Sequence, residues 1–257
     1  SLYCLYIWKV MEVRGKKMSS HKFEEKLSAL GIVLDDRQKE QFDLFYEILV
    51  EWNEFMNLTG ITEYEEVNEK HFVDSVSIVK ALDMKAVKSV IDVGTGAGFP
   101  GIPLKIVFPE LEVVLLDSLN KRVKFLNAVI EKLQLKGIRA IHGRAENYAK
   151  QQEYREQFDL CVSRAVANLA TLSEYCLPYV KKGGVFLPYK SGEIDEEVVQ
   201  AKKAVTILGG TLREVIKFQL PGSEIGRSFV KIEKVKPTAK KYPRKAGLPA
   251  KEPLGIC

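Results

Sequence analysis

The stretch Asp92-Val-Gly94-Thr-Gly96-Ala-Gly98, followed at a distance by Asp117, holds the residue types and spacing in this chain that could do chemistry. Glycines at alternate positions leave no side chain between backbone and a ligand, and they tolerate dihedrals that other residues resist. The preceding run Val90-Ile91-Asp92-Val93 is dominated by β-branched residues and reads as a buried strand. Ile102, Leu104, Ile106 and Val107 follow as an apolar helical pattern. A strand, a glycine turn and a helix start make a nucleotide-type cofactor site at the C-terminal edge of a parallel sheet. A glycine cluster alone also fits an ordinary tight strand-to-helix turn.

Asp117 closes the next apolar run, and in a doubly wound sheet the two strand ends are neighbours. A carboxylate there can accept hydrogen bonds from both ribose hydroxyls of a nucleoside cofactor, or it can cap the helix that follows Ser118. The glycine spacing is G-x-G-x-G, with Phe99-Pro100 where a dinucleotide fingerprint carries its third glycine. Bulk beside the turn suits a ligand without a pyrophosphate. Asp92 would repel phosphate and favour a cationic amino-acid group. Ammonium, sulfonium and adenosine occur together in S-adenosylmethionine, and D-x-G-x-G-x-G is the spacing of the first motif of class I methyltransferases, with Asp117 at the position of their second.

These residues need a sheet to position them. Strands are expected at 90–93, 112–117, 138–142, 158–163 and 184–189, with helices at 123–133, 169–180 and 198–208 between them. Runs 213–220 and 228–235, separated by Pro221-Gly222, read as two closing strands, and the final strand should run antiparallel. Ahead of the glycine turn the period is helical. Phe23, Leu27 and Leu30 share a face closed by Gly31, and a second helix capped at Asp35-Asp36 runs to Met56 and stops at Asn57-Leu58-Thr59-Gly60. One or two more helices fall in 63–82, and this opening should pack on the sheet as a cap. The fold class is therefore α/β, a class I methyltransferase (Rossmann-like) seven-stranded, mostly parallel sheet with an N-terminal helical cap. The expected domains are 18–83 (cap), 84–236 (S-adenosylmethionine-binding methyltransferase domain) and 237–257 (basic C-terminal tail). Residues 1–17 are unassigned; with Met11 and Met18 as possible starts, they read as upstream sequence.

With 257 residues, 46% hydrophobic and 28% charged, the chain can bury a sizeable core. No apolar stretch approaches the roughly 20 residues of a membrane span. The 4 cysteines include no C-x-x-C pair, and the 3 histidines add no metal signature, so reduced thiols in a cytoplasmic protein are expected. The net charge of +5 is uneven: residues 231–257 carry eight Lys/Arg against two Glu. A basic end on a near-neutral body suggests a polyanionic partner, although a solvated solubility tail has the same composition. Prolines 237, 243, 249 and 253 predict an extended tail that folds, if at all, on its partner.

Read in order, FMNLTGIT, KHFVDS, DVGTGAGFPGIPLKI, LLDSLNKRVKFL, GRAE, SRAVA, LPYKSG and KKYPRKAGLPAKEPL resemble the bacterial 16S rRNA guanine-N7 methyltransferase family, formerly glucose-inhibited division protein B. The resemblance covers residues 18–256; residues 1–17 depart from it. It implies a cofactor site lined by Gly94, Gly96, Gly98, Phe99, Asp117, Ser118, Leu119, Ala145, Glu146 and Arg164, with Ala145-Glu146 near the adenine and Arg164 at the cofactor–substrate junction. Glu146 could instead pair with Arg144 or Arg122, and Arg164 could be a fold-stabilising charge. RNA candidates are Arg144, Arg164, Lys190, Arg227 and the tail residues Lys240, Lys241, Arg244 and Lys245, with Asn57 and His71 facing the cleft from the cap. Tyr242 could stack on a base. His71 is equally readable as a hydrogen-bonded cap histidine.

The implied reaction is S-adenosylmethionine-dependent methylation of guanine N7 in 16S ribosomal RNA, by direct in-line transfer without a covalent intermediate. Guanine N7 has a free lone pair and no proton, so no general base is needed and no catalytic residue is assigned. Strand four carries Ser163-Arg164-Ala165-Val166 rather than the Asn/Asp-Pro-Pro-aromatic motif of amino-group methylases. Cys161 and Cys176 fall inside elements and read as core residues rather than nucleophiles. The expected partner is 16S ribosomal RNA or the small ribosomal subunit, with no membrane and no metal, and the expected state is a monomer. A non-catalytic RNA-binding module and a small-molecule or protein methyltransferase are the competing classes.

Overall fold

The computed structural model describes residues 21–165 and 167–256; the extension 1–17, the first residues 18–20 of the expected cap, Val166 of the SRAVA stretch and Cys257 lie outside the described residues. The chain opens with helix α1 (His21–Ala29) and the long helix α2 (Asp36–Met56). Asp35 caps α2 in a reciprocal box with Gln38, and Asn57 ends it in the left-handed conformation at φ 51°. Helix α3 (Tyr64–Val67) runs through a π-helical stretch (Asn68–Val73) into α4 (Asp74–Val76) and a 3-10 turn (Ser77–Lys80).

Strand β1 (Ser89–Val93), helix α5 (Gly101–Val107), β2 (Glu112–Asp117), α6 (Asn120–Lys132), β3 (Ile138–His142), α7 (Ala145–Tyr148), β4 (Phe158–Ser163), α8 (Leu169–Cys176), β5 (Val180–Ser191) and α9 (Asp195–Ile207) then alternate. β6 (Gly210–Gln219), β7 (Gly226–Lys234) and a short α10 (Leu248–Lys251) complete the order. The sheet has seven strands in the order β3-β2-β1-β4-β5-β7-β6. β1 to β5 pair in parallel, and β7 lies antiparallel between β5 and β6, as its place in the sequence predicts. The order reverses between β1 and β4, which makes the crevice at their C-terminal ends the place where open α/β sheets bind ligands.

Period-two alternation divides the core. Val90, Leu115, Leu160 and Leu187 face the cap with α5 and α6, while Ile91, Val114, Cys161 and Phe186 face α8 and α9. The cap is bound through an aromatic chain in which Phe72 and Phe99 each stack on Phe45, with ring centroids 5.4 and 5.3 Å apart. Cys161 and Cys176 are both buried and free.

Two expectations are corrected. The helix expected at 169–180 ends at Cys176, and β5 begins at Val180 rather than Gly184, because the strand continues through a bulge that pairs Val180 with Phe158 and accommodates Gly183 at φ 86°. The tail does not wait for a partner to acquire structure. Arg155 donates to the carbonyls of Thr238, Ala239 and Tyr242, and Arg244 makes a bidentate pair with the fully buried Glu174. Its prolines lack an N–H, and the segment is held through carbonyls, a few side chains and the N–H groups of Thr238, Arg244 and Gly247, which donate to Glu156, Glu174 and Glu146.

Candidate functional site

The glycine turn is built as its sequence requires. Gly94, Gly96 and Gly98 sit at φ 70°, 61° and 94°, where a side chain is strained. They differ in their surroundings. A Cβ on Gly96 would meet nothing within 4 Å, so this position opens onto the crevice. A Cβ on Gly98 would lie 2.5 Å from Ile102 Cδ1, so its missing side chain serves close packing of the turn on α5. Gly101 is equally constrained, with Leu115 Cδ2 2.3 Å from where its Cβ would be.

Both carboxylates hold the turn. Asp117 accepts from Gly96 N–H and Leu119 N–H, each at 2.9 Å, so it braces the glycine turn and the start of α6 together. Asp92 is fully buried, and its Oδ2 accepts from Thr95 Oγ1 at 2.7 Å and Gly101 N–H at 2.8 Å. This corrects the expectation that Asp92 offers charge to a ligand's amino group, because it lies under the turn, where burial pushes its pKa up to about 7. The residues that face the crevice fit a nucleoside cofactor. The open backbone at Gly94 and Gly96 can approach a ligand closely, Asp117 has lone-pair capacity beyond its two donors, and Ser118 and Leu119 are exposed beside it.

Arg164 and Phe99 turn toward the cap. Phe99 is buried and stacks on His71, with centroids 4.5 Å apart. The Arg164 guanidinium lies over the Phe99 ring at 5.2 Å and donates to Lys70 O and Asp74 Oδ2 at 3.0 and 2.9 Å. It also contacts His71 Nδ1 at 2.8 Å. A guanidinium only donates, so Nδ1 must accept, and the ring proton sits on Nε2 facing Thr59 Oγ1 at 2.8 Å. His71 is thus the hydrogen-bonded cap histidine, and burial, reinforced by Arg164, lowers its pKa to about 3. The folded site refuses a proton that the unfolded chain accepts near 6.5, so this group's stabilisation is present above that pH and declines as pH falls toward the folded value. Nitrogen NMR should show His71 neutral and Nε2-protonated through the neutral range and down to pH 5; a ring titrating near 6.5 would refute the contact with Arg164.

Asp74 is the residue the motif reading missed. It is 3% exposed and accepts from Arg164 and, through both oxygens, from Arg227. The only sequence signal was its place three residues after His71 in KHFVDS. Arg227 reaches it because antiparallel β7 brings its N-terminal end to the edge where β5 finishes, Ser191 pairing with Arg227. Beside this junction lies a cleft of about 610 Å³, walled by Arg164, Ala165, Tyr189, Lys190, Glu197 and Arg227 among others. Ala165 links it to the cofactor crevice, since its Cβ would be 3.9 Å from a Cβ on Gly94.

The RNA candidates therefore separate. Lys240, Lys241 and Lys245 are exposed on the outside of the packed tail, and Arg144 and Asn57 are exposed on the body. Arg227 is tied to Asp74, Arg244 to Glu174, and Lys190 to Glu197 at 2.7 Å. Glu146 is 2% exposed and its Oε1 accepts from Gly247 N–H of the tail, with Arg144 at 3.9 Å, so its carboxylate is committed to holding the tail and Ala145 is the more open of the two. Tyr242 packs against the body, with Lys241 5.3 Å from its ring centroid.

Comparison with known proteins shows which family this chain resembles. The family model described as rRNA small subunit methyltransferase G matches residues 38–225. The ribosomal RNA small subunit methyltransferase G of Lachnoclostridium phytofermentans is 56% identical over 232 residues, 90% of this chain and 96% of that one. Its namesake from Brevibacillus brevis is 53% identical over 92% of this chain and 100% of that one. Among solved structures, MtNAS in complex with MTA and tNA aligns at a TM-score of 0.50 and 15% identity over 77% of this chain and 71% of that one, a likeness of fold. This chain belongs to the rRNA small subunit methyltransferase G family.

Proposed function

We propose that this protein methylates N7 of a guanine in 16S ribosomal RNA, using S-adenosylmethionine, as a cytoplasmic monomer. Family membership supports the rRNA methyltransferase activity. The observation that carries the reading is that one residue, Ala165, borders both the open glycine turn and a cleft rich in cationic side chains. A donor and an acceptor bound in those two spaces would be adjacent. Among the described residues, no helix is long and apolar enough to cross a membrane.

S-adenosylmethionine would supply an electrophilic methyl group on a sulfonium. The chain's own part is to bind and orient. Backbone at Gly94 and Gly96, the Asp117 carboxylate and the surfaces of Ser118, Leu119 and Ala145 would hold the nucleoside portion, and Gly98 and Phe99 would keep the turn in shape. Guanine N7 attacks with its own lone pair in line with the bond being broken, so no residue needs to remove a proton and no covalent enzyme intermediate is required. Positioning of this kind can contribute about 7–11 kcal/mol. Arg164, His71 and Asp74 fix the cap against the sheet edge and so set the width of the cleft.

Phosphates would be met by Lys240, Lys241, Lys245 and Arg144, whose charges are exposed. Replacing the three lysines together by alanine should leave the melting temperature unchanged and reduce the slope of log affinity against log salt by about 2, as expected for three lost contacts to single-stranded RNA. An unchanged slope removes the tail from the RNA path. Deleting residues 236–257 is a poorer experiment, because it uncovers Glu174 and Glu146. The function itself is tested by incubating the protein with labelled S-adenosylmethionine and 16S rRNA from a strain lacking the enzyme, then mapping the product. Label at guanine N7 is expected; label on protein or on a small molecule would overturn the proposal.

A further inference from the structure

The cleft contains one polar pair that neither the cap junction nor the glycine turn uses. Lys190, near the end of β5, is 8% exposed; its ammonium donates to Glu197 Oε1 at 2.7 Å and to the Ala167 carbonyl at 2.8 Å. Glu197 lies in the first turn of α9, and among the described residues its Oε2 accepts no hydrogen bond. The other acid of the cleft, Asp74, has both oxygens engaged by Arg164 and Arg227. The cleft thus presents a fixed donor and an open anionic acceptor side by side.

We propose that Lys190 and Glu197 read the base edge of the target nucleotide and select guanine. The inference rests on the reading of this chain as a guanine-specific rRNA methyltransferase and adds the groups that choose the base. Guanine offers, in sequence along one edge, an acceptor at O6 and donors at N1 and N2. Lys190 Nζ donates to O6 while Glu197 accepts from N1–H and the N2 amino group. Adenine has a donor at position 6 and an acceptor at N1, the wrong polarity against both side chains.

The remaining geometry suits this pose. N7 lies on the side of the bicyclic ring away from N2. A base held by its N1–N2 edge at α9 therefore keeps N7 away from α9, and the walls of the same cleft include Ala165, which borders the glycine turn. Tyr189, Leu220 and Ile225 supply apolar lining for the ring. A volume of about 610 Å³ exceeds one purine nucleoside, as a splayed-out nucleotide with its flanking backbone would need. Glu197 is 28% exposed in the open cleft, and a base seated over it would shield it from water, so a base lacking the matching donor would leave it desolvated and unpaired.

The test uses the full-length protein, labelled S-adenosylmethionine and 16S rRNA from a strain lacking the enzyme, with GMP, IMP and AMP as competitors. IMP is GMP without the N2 amino group. For the wild type, GMP should compete roughly tenfold better than IMP, and AMP worst. In Glu197→Ala the GMP advantage over IMP should disappear with cofactor affinity by calorimetry unchanged, while the melting temperature falls because the nearly buried Lys190 loses its carboxylate partner. Glu197→Gln, which keeps an acceptor and loses the charge, should fall between, and it carries the comparison if the alanine variant folds poorly. Glu196→Ala, an exposed neighbour that removes the same charge, should behave as wild type. A Glu197→Ala enzyme that still prefers GMP over IMP, or a wild type that GMP fails to inhibit at millimolar concentration, overturns the proposal. Absence of label on rRNA with the wild type is a different failure, that of the methyltransferase reading itself, and the base assignment falls with it.

Discussion

Gly96→Val should abolish binding of S-adenosylmethionine while leaving a folded protein. Two effects act together at this position. The backbone is at φ 61°, where a β-branched residue costs about 1–3 kcal/mol of stability. The new side chain also enters empty space, since a Cβ here meets nothing within 4 Å, and that space is the cradle proposed for the cofactor. Calorimetric titration should show affinity reduced roughly 100-fold or more, about 2.7 kcal/mol. Gly96→Ala should give a smaller loss, because its single methyl group fills less of the cradle. Gly98→Val provides the contrast. There the added atoms collide with Ile102 and Leu126, so the melting temperature should fall first and binding should fail through the fold. A Gly96→Val protein that folds and binds the cofactor as tightly as wild type would move the pocket elsewhere.

That prediction could be framed from the sequence because the glycine turn is local chemistry: a β-branched strand, alternate glycines and a helix within about a dozen residues. The same locality made β2, β3 and β4 readable at their observed limits, as short, largely apolar runs of strand length. Where a structure depends on distant partners the sequence is silent. Lys181, Lys182, Gly183 and Gly184 look like a turn, and only the pairing of Val180 with Phe158 makes them strand. Prolines and positive charge made the tail look like a free arm. Its anchors, Arg155 and Glu174, come from elsewhere in the chain, with Arg155 bonded to a carbonyl 87 residues further on. The cleft is the extreme case. It exists because a reversed β7 delivers Arg227 to a carboxylate 153 residues earlier, and no periodicity encodes that meeting.

Asp74→Ala tests how much that meeting matters, and it should be among the most damaging single changes outside the glycine turn. Asp74 accepts from Arg227 Nε at 2.6 Å, Arg227 Nη2 at 3.2 Å and Arg164 Nη1 at 2.9 Å. The two arginine side chains are 18% and 19% exposed, so removing the carboxylate leaves neighbouring guanidiniums largely cut off from water. Breaking a buried pair by deleting one partner costs about 3–5 kcal/mol, and the partial exposure of both arginines favours the lower end. The loss should appear as a reduced melting temperature and, because Arg164 also holds Lys70 O and His71, as a loosened cap with methyl transfer reduced more than cofactor affinity. A double-mutant cycle separates these effects. With Arg227→Met in place, Asp74→Ala should cost less than it does alone, since one stranded cation is already gone. If Asp74→Ala melts as the wild type does, and the cycle shows no coupling to Arg227, the carboxylate does not join the cap to the sheet edge, and the width of the cleft must be set by the aromatic contacts of Phe45, Phe72 and Phe99 alone.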